Sequence, residues 1–181
     1  PRLSLVAEMD FDFTGEMRSS SFYEATIESK ARVTYGEAQD LIDGNQNPKL
    51  THVEKDILKA ADLAKLLMTK RFREGSLDLE IPEVQMVLNP EGIPTDFIKS
   101  ERLFAHRLIE EMMLAANVAV AKFLSSREIP AIYRIHDNPN ADAIEILERY
   151  LEKFGGEGGL NSKGKLQKRL TKALQGFDGK P

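Results

Sequence analysis

Hydrophobic and polar residues alternate along the first part of the chain in two runs, and a period of two is typical of a strand with one buried face. The apolar positions of the first run are Leu3, Leu5, Ala7, Met9, Phe11 and Phe13. A turn at residues 14–16 separates it from the second run, residues 23–35, which is long for one strand. We therefore predict an N-terminal hairpin whose second strand bulges or bends near Ser29 and Lys30.

After the hairpin, apolar residues recur with the helical period of 3.6 residues. It predicts a short helix over residues 35–43, ended by Gly44. It also predicts a long helix that begins at a capping box formed by Thr51 and Glu54 and ends at Gly75. Together these signals place two helices directly after the hairpin.

The rest of the chain combines short apolar runs with three more helices. Short β-like runs are predicted at residues 77–81, 84–88, 95–98 and 132–135. Ser100 is expected to cap a second long helix, to about residue 124, and Asn140 a third that Gly155 ends. A basic helix over residues 162–175 completes the pattern.

This order of elements predicts an α+β fold. We expect a mainly antiparallel sheet, made of the N-terminal hairpin and the short strands, packed with two long helices and two shorter C-terminal helices. With 181 residues, the chain is interpreted as one domain. Residues 155–161 include four glycines and are predicted to be a flexible link before the basic helix.

Composition and charge exclude several classes of protein. The sequence has no cysteine, which excludes disulfides, thiolate metal sites and a cysteine nucleophile, and which fits a reducing cytoplasm. No apolar run approaches the roughly 20 residues of a membrane span. A net charge of −4 argues, on charge alone, against a nucleic-acid partner. The basic cluster over residues 163–172 is interpreted as a solvated helix face.

The second long helix carries the most informative polar residues. Its middle, residues 112–121, is almost entirely apolar, so we expect it to be buried nearly all round. A narrow stripe along it contains His106, Glu110, Met113 and Asn117. Buried polar groups need partners, so the stripe either closes a structural hydrogen-bond network or faces a polar cavity.

Other candidate sites are weaker. Asp10 and Asp12 point to the same side of a strand and could share a divalent cation, although acids beside a turn need no metal. His106 and Glu110 offer two metal ligands without a visible third. His136 and Asp137 are either an acid/base pair or a local hydrogen bond. The sequence has no Gly-rich phosphate loop, no Gly-x-Ser-x-Gly motif and no His-Glu-x-x-His motif.

Three segments, taken in order, resemble the catalytic (RNB) domain of the ribonuclease II and ribonuclease R family. They are IESKARVTY at residues 27–35, LIEEMMLAANVAVA at 108–121 and AIYRIHDNP at 131–139. The likeness extends from about residue 2 to residue 174. It implies processive 3′→5′ hydrolysis of single-stranded RNA to nucleoside 5′-monophosphates, with Mg²⁺, by a cytoplasmic and monomeric parent protein that does not engage a membrane.

The resemblance also implies that important parts lie outside this sequence. The family's metal-binding aspartates would lie upstream of residue 1, and the flanking RNA-binding domains would supply the positive charge. We therefore expect an internal fragment of the RNB domain, with no catalytic or metal-binding residue of its own and no activity in isolation. The alternative is a noncatalytic RNA-binding or protein-interaction module derived from this fold.

The resemblance implies five RNA-binding residues. Tyr35 and Glu110 match family positions near the RNA 3′ end, where a phenol and a carboxylate can read the ribose 2′-hydroxyl. Arg32 and Arg134 are candidates for phosphate or structural contacts. Leu79 lies where the family places a base-stacking Phe after the first long helix, and a leucine can flank a base but cannot stack on it.

Overall fold

The computed structural model describes residues 1–78, 84–99, 101–135, 137, 139–155, 160 and 166–175. Over these residues the architecture is α+β, as predicted. The elements are β1 (Arg2–Phe11), β2 (Met17–Ile27), α1 (Tyr35–Ile42), α2 (Glu54–Arg73), β3 (Val84–Leu88), β4 (Pro94–Lys99), α3 (Phe104–Ser126), α4 (Ala141–Lys153) and α5 (Leu166–Gln175). The strands form two separate antiparallel pairs, β1–β2 and β3–β4. The described part of the chain contains no helix long and apolar enough to cross a membrane.

The chain divides into two compact units. One consists of Pro1–Lys70 with Glu80–Ala131, and the other of Arg71–Leu79 with Ile132–Pro181. The first unit therefore contains both hairpins, α1, α3 and most of α2. The second contains α4 and α5.

The N-terminal hairpin differs from its prediction at three points. Strand β2 begins at Met17, before the predicted run at residues 23–35. The register of the hairpin shifts between Asp10 and Phe11, near the turn, and not at Ser29 and Lys30. Strand β2 ends at Ile27, and residues 28–34 follow as an irregular segment. The His52 ring nitrogen Nε2 contacts the Lys30 carbonyl at 3.1 Å, so this segment is anchored by a side chain and not by a partner strand.

The apolar face of β1 is covered along only part of its length. Ala7, Met9 and Phe11 are half-buried, but Leu3 and Leu5 are almost fully exposed. Phe13, which follows the strand, is also fully exposed. The covered end includes the turn, where Gly15 adopts a φ of +79° and a Cβ there would lie 3.5 Å from Leu66 of α2. The hairpin is thus fixed to α2 at its turn.

Helices α1 and α2 begin differently. Helix α1 starts at Tyr35, as predicted, behind a capping box formed by Thr34 and Glu37. Helix α2 starts at Glu54, but the predicted capping box does not form. The Glu54 amide donates to the Leu50 carbonyl at 2.9 Å, and the Thr51 hydroxyl donates to the Pro48 carbonyl.

The core of the first unit joins three helices. Ala61 and Ala64 of α2 pack against Leu108 of α3, and Ile42 at the end of α1 packs against the same cluster. The prediction that α3 is buried nearly all round is wrong. It packs through the face that contains Leu108 and Ala119, while Ile109, Met113 and Val118, outside that face, are about half exposed.

Strands β3 and β4 match two of the predicted apolar runs. Helix α3 begins at Phe104 with Leu103 as its N-cap residue, and Ser100 lies outside the described residues. The predicted strand at residues 132–135 is wrong, since this segment is irregular and Ile132 is fully exposed. Of the predicted run at residues 77–81, residues 77 and 78 are irregular and the remainder lies outside the described residues.

The second unit has its own core, which Leu151, Leu160 and Ala173 form. Asn140 caps α4 as predicted, since its side-chain oxygen accepts from the Ala143 amide at 2.7 Å. Helix α4 ends before Gly155, whose φ is +79°. Most of the predicted glycine-rich link lies outside the part of the chain that the structure describes.

Candidate functional site

Tyr35 is fixed in place by the first turn of α1. The Glu37 carboxylate accepts from the Thr34 amide and from the Thr34 hydroxyl, each at 2.8 Å, and the Glu37 amide donates back to that hydroxyl at 3.3 Å. These bonds from Thr34 lower the pKa of the Glu37 carboxyl. They also define Tyr35 as the first helical residue, with its side chain 46% exposed.

The Tyr35 ring stacks on the ring of His106, which lies in the first turn of α3. The ring centroids are 4.1 Å apart and the ring planes differ by 29°. His106 is held in turn by its own backbone, because the Leu103 amide donates to His106 Nδ1 at 3.1 Å. In this bond Nδ1 is the acceptor, which leaves the other ring nitrogen, Nε2, on the far side of the ring.

A second contact between α1 and α3 supports this stack. Gln39 follows Tyr35 by four residues and so lies on the same face of α1. Its side-chain oxygen accepts from the Ala105 amide at 3.0 Å, and its nitrogen donates to Asp43 at 2.9 Å. One face of α1 therefore meets the first turn of α3 at both Ala105 and His106.

Glu110 lies one helical turn beyond His106 on the same side of α3. Its carboxylate accepts from the Arg102 guanidinium at 2.9 Å, and its side chain is 35% exposed. The structure thus places a phenol against an imidazole, and a carboxylate one helical turn further along α3. Such a set can both donate to and accept from a hydroxyl-bearing ligand.

The other three predicted RNA-binding residues are either exposed or outside the described part of the chain. Arg32 is exposed in the irregular segment before α1, where its charge contributes to lowering the pKa of Glu37. Arg134 is exposed in the second unit. Leu79 lies outside the described residues. The structure therefore places Tyr35 against His106, which lies one helical turn before Glu110, and Arg32 is close to Tyr35 in sequence.

The described residues do not fit an Mg²⁺ site. Among them no three His, Cys, Asp or Glu side chains lie close enough to share a metal ion. Asp12 accepts from the Thr14 hydroxyl, the amides of Thr14 and Glu16, and Arg18, and these bonds hold the pKa of its carboxyl far below its usual range. Asp10 accepts from the Ser19 hydroxyl.

Three residues of this site were not among the predicted RNA-binding residues: His106, Gln39 and Arg102. Helical periodicity identifies the stripe that contains His106 and Glu110, but it gives no partner on another helix. Gln39 is separated from Ala105 by 66 positions, and no local pattern links them. The spacing of Tyr35 and Gln39 on α1 is the one signal that the sequence offers.

Relatives of known family match nearly the whole chain. The sequence model of the RNB domain matches residues 1–180. Ribonuclease R of Aquifex aeolicus is 34% identical over 187 residues, which cover 99% of this chain and 26% of that protein. Ribonuclease R of Escherichia coli is 33% identical over 162 residues, which cover 86% of this chain and 19% of that protein. The chain thus spans about a quarter or less of the length of these curated relatives.

Solved structures match the fold. Mycoplasma genitalium RNase R in complex with ribose methylated single-stranded RNA has a TM-score of 0.88 and 24% sequence identity, over 99% of this chain and 28% of that one. The same enzyme in complex with double-stranded RNA has a TM-score of 0.87, also at 24% identity, over 99% of this chain and 32% of that one.

Proposed function

The chain belongs to the RNB domain family, and we propose that it is part of a processive 3′→5′ exoribonuclease of the ribonuclease R type. In this proposal Tyr35 and Glu110 bind the ribose at the 3′ end of single-stranded RNA. Water attacks the last phosphodiester, the 3′ oxygen of the preceding nucleotide leaves, and a nucleoside 5′-monophosphate is released. The residues of this chain hold the sugar in register for that step.

One observation supports this assignment above the others: Tyr35 stacks on His106, and Glu110 lies one helical turn from His106 on the same side of α3 with its side chain 35% exposed. A ribose 2′-hydroxyl both donates and accepts, and it is the group that distinguishes RNA from DNA. A carboxylate has about four lone-pair sites, so its bond from Arg102 leaves it able to accept from that hydroxyl. A tyrosine hydroxyl is able to donate to the same group.

In this proposal the metal ions are bound by residues outside this sequence. Mg²⁺ would be held by acidic residues that the family places upstream of residue 1, because the described residues contain no group of three suitable ligands. Residues 1–181 alone are therefore expected to release no mononucleotides. Arg32 and Arg134 are proposed to contact backbone phosphates, and the parent protein is proposed to act in the cytoplasm.

The test compares the binding of two short single-stranded RNAs that differ at one atom. Both carry a fluorophore at the 5′ end, and one lacks the 2′-hydroxyl of its last nucleotide. Fluorescence anisotropy on the 181-residue chain gives the ratio of the two Kd values. We expect the complete ribose to bind more tightly. Tyr35→Phe should reduce that preference by about tenfold, because it removes one hydrogen bond to the hydroxyl, and Glu110→Gln should reduce it because a neutral amide replaces the ionised acceptor.

Matched controls make the same chemical changes elsewhere. Tyr23→Phe removes a tyrosine hydroxyl that donates to Glu8 on the N-terminal hairpin. Glu145→Gln removes a carboxylate on α4, where it pairs with Arg149. Both controls should keep the preference of the original chain. Absence of any preference for the terminal ribose, or its equal loss in the controls, contradicts the proposed function.

A further inference from the structure

We propose that His106 is a positioning residue that sets the orientation of the Tyr35 ring for ribose recognition. The inference rests on the proposed function and assigns to the same site a third residue. His106 does this through two different parts of one ring: Nδ1 binds the backbone of α3, and the ring face carries Tyr35.

The Tyr35 side chain is not confined by its own helix. Tyr35 is the first residue of α1 and almost half of its surface is exposed, so the local backbone alone leaves several rotamers open to its side chain. A ring stacked at 4.1 Å on one face removes most of that freedom. A recognition group that is already oriented loses less entropy when its ligand binds.

His106 is itself held in place by a hydrogen bond. A stacking partner orients Tyr35 more strictly when its own rotation is limited. The bond from the Leu103 amide to Nδ1 adds to that limit for the His106 ring, which the stack itself also restrains. This bond is half of a capping box, with His106 in the third helical position, where Glu or Gln ordinarily reaches back to the N-cap amide.

Position 106 needs a residue that both accepts from the Leu103 amide and stacks on Tyr35. Glu or Gln would accept from the Leu103 amide but has no aromatic face for Tyr35. Phe would stack but has no acceptor for the amide. Histidine has both a planar ring and an acceptor nitrogen. Two substitutions therefore separate the two roles: His106→Gln keeps the cap and removes the stack, and His106→Phe keeps the stack and removes the cap.

The experiment uses the same pair of labelled RNAs on the full chain. His106→Gln is expected to lower the preference for the terminal ribose by about three- to tenfold, the range expected for loss of an aromatic pair. Affinity for the strand that lacks the terminal 2′-hydroxyl should stay unchanged. His106→Phe is expected to keep the preference while its Tm falls. A purely structural role would give the opposite order, with the capping variant closest to the original chain in every measurement.

A readout without RNA separates this inference from the proposed function. NMR spectra of the Tyr35 ring protons report the ring current of His106, and these signals should move in His106→Gln and stay shifted in His106→Phe. If Tyr35→Phe and Glu110→Gln change the preference but His106→Gln does not, the positioning role is wrong and the proposed function stands. If no variant changes the preference while the Tyr35 signals move in His106→Gln, the proposed function fails and the ring contact stands, without a role in recognition.

Stability is checked for each variant. Should His106→Gln prove too unstable to measure, His106→Phe carries the test, because the stack that it preserves must preserve the preference. Loss of the preference in a folded His106→Phe protein overturns the proposal.

Discussion

Glu37 illustrates how one residue determines the position of another. Its carboxylate accepts twice from Thr34, and this fixes the residue at which α1 begins. Since Tyr35 is that first residue, the direction of its side chain depends on a capping interaction in which it takes no part. Tyr35, the proposed ribose contact, is thus supported at two points, by Glu37 at the start of α1 and by the His106 ring on α3.

The Thr34–Glu37 bonds predict a pH dependence. The Thr34 amide and then the Thr34 hydroxyl lower the pKa of Glu37, so its carboxylate stabilises the folded state above the unfolded pKa and loses that effect as the pH falls through the folded value. We expect the first turn of α1 to loosen below a pH of about 4. Amide hydrogen exchange at Glu37 and a ¹³C titration of its carboxyl measure this.

Glu37→Gln should remove this pH dependence. Asp40→Asn provides the control, since it makes the same charge change at an exposed position on the same helix and leaves the Thr34 bonds in place. A Glu37 carboxyl that titrates at the value of an unfolded peptide would contradict the prediction.

Among the elements, sequence patterns predicted those whose signal is local. The Asn140 cap, the start of α1, and strands β3 and β4 all follow from residues within one element. The end of β2 did not, because residues 28–34 lead into an N-cap whose backbone is extended, with φ −81° and ψ 162° at Thr34. Alternation reports an extended backbone; it does not show whether a neighbouring strand is present.

The same limit applies to α3 and to the candidate site. Apolar residues on all sides of α3 predicted burial nearly all round. Periodicity does not reveal what covers each face, and several of these residues are about half exposed. Tyr35 and Glu110 were identified through a family resemblance. Their relative position depends on how α1 packs against α3, and the spacing of residues within either helix does not predict that packing.

The packing of α3 can be tested with two substitutions on the same helix. Leu108 contacts the buried alanines of α2, so Leu108→Ala is expected to lower the free energy of unfolding by about 2–3 kcal/mol, through lost burial and a cavity. Val118→Ala is the control, because Val118 is 48% exposed and its truncation should cost less than about 1 kcal/mol. Urea denaturation followed by circular dichroism gives both values. Equal losses would mean that the packed face of α3 is wrongly assigned.

At the scale of the whole molecule, each unit has a core of its own. In the second unit Leu151, Leu160 and Ala173 pack together, and the Leu160 backbone is bound on both sides. Its amide donates to Glu148 at 3.0 Å, and its carbonyl accepts from Arg169. Leu160 therefore connects α4 and α5 through both its side chain and its main chain.

This arrangement predicts a local effect of truncation. Leu151→Ala is expected to cost about 2–3 kcal/mol and to speed amide hydrogen exchange in both α4 and α5. Tyr150→Ala changes the adjacent, largely exposed residue and should leave exchange in α5 unaltered. Faster exchange confined to α4 after Leu151→Ala would show that the two helices do not share this core.

The 66-residue separation of Gln39 and Ala105 has a consequence for the order of folding. Both hairpins pair neighbouring segments of chain, so their contacts close short loops, whereas the junction of α1 with α3 closes a long one at a greater entropic cost. Local contacts form early and distant ones wait for them. We therefore expect the stack of Tyr35 on His106 to form late in folding. A nascent chain can hold its hairpins and helices before it holds the surface proposed to distinguish RNA from DNA.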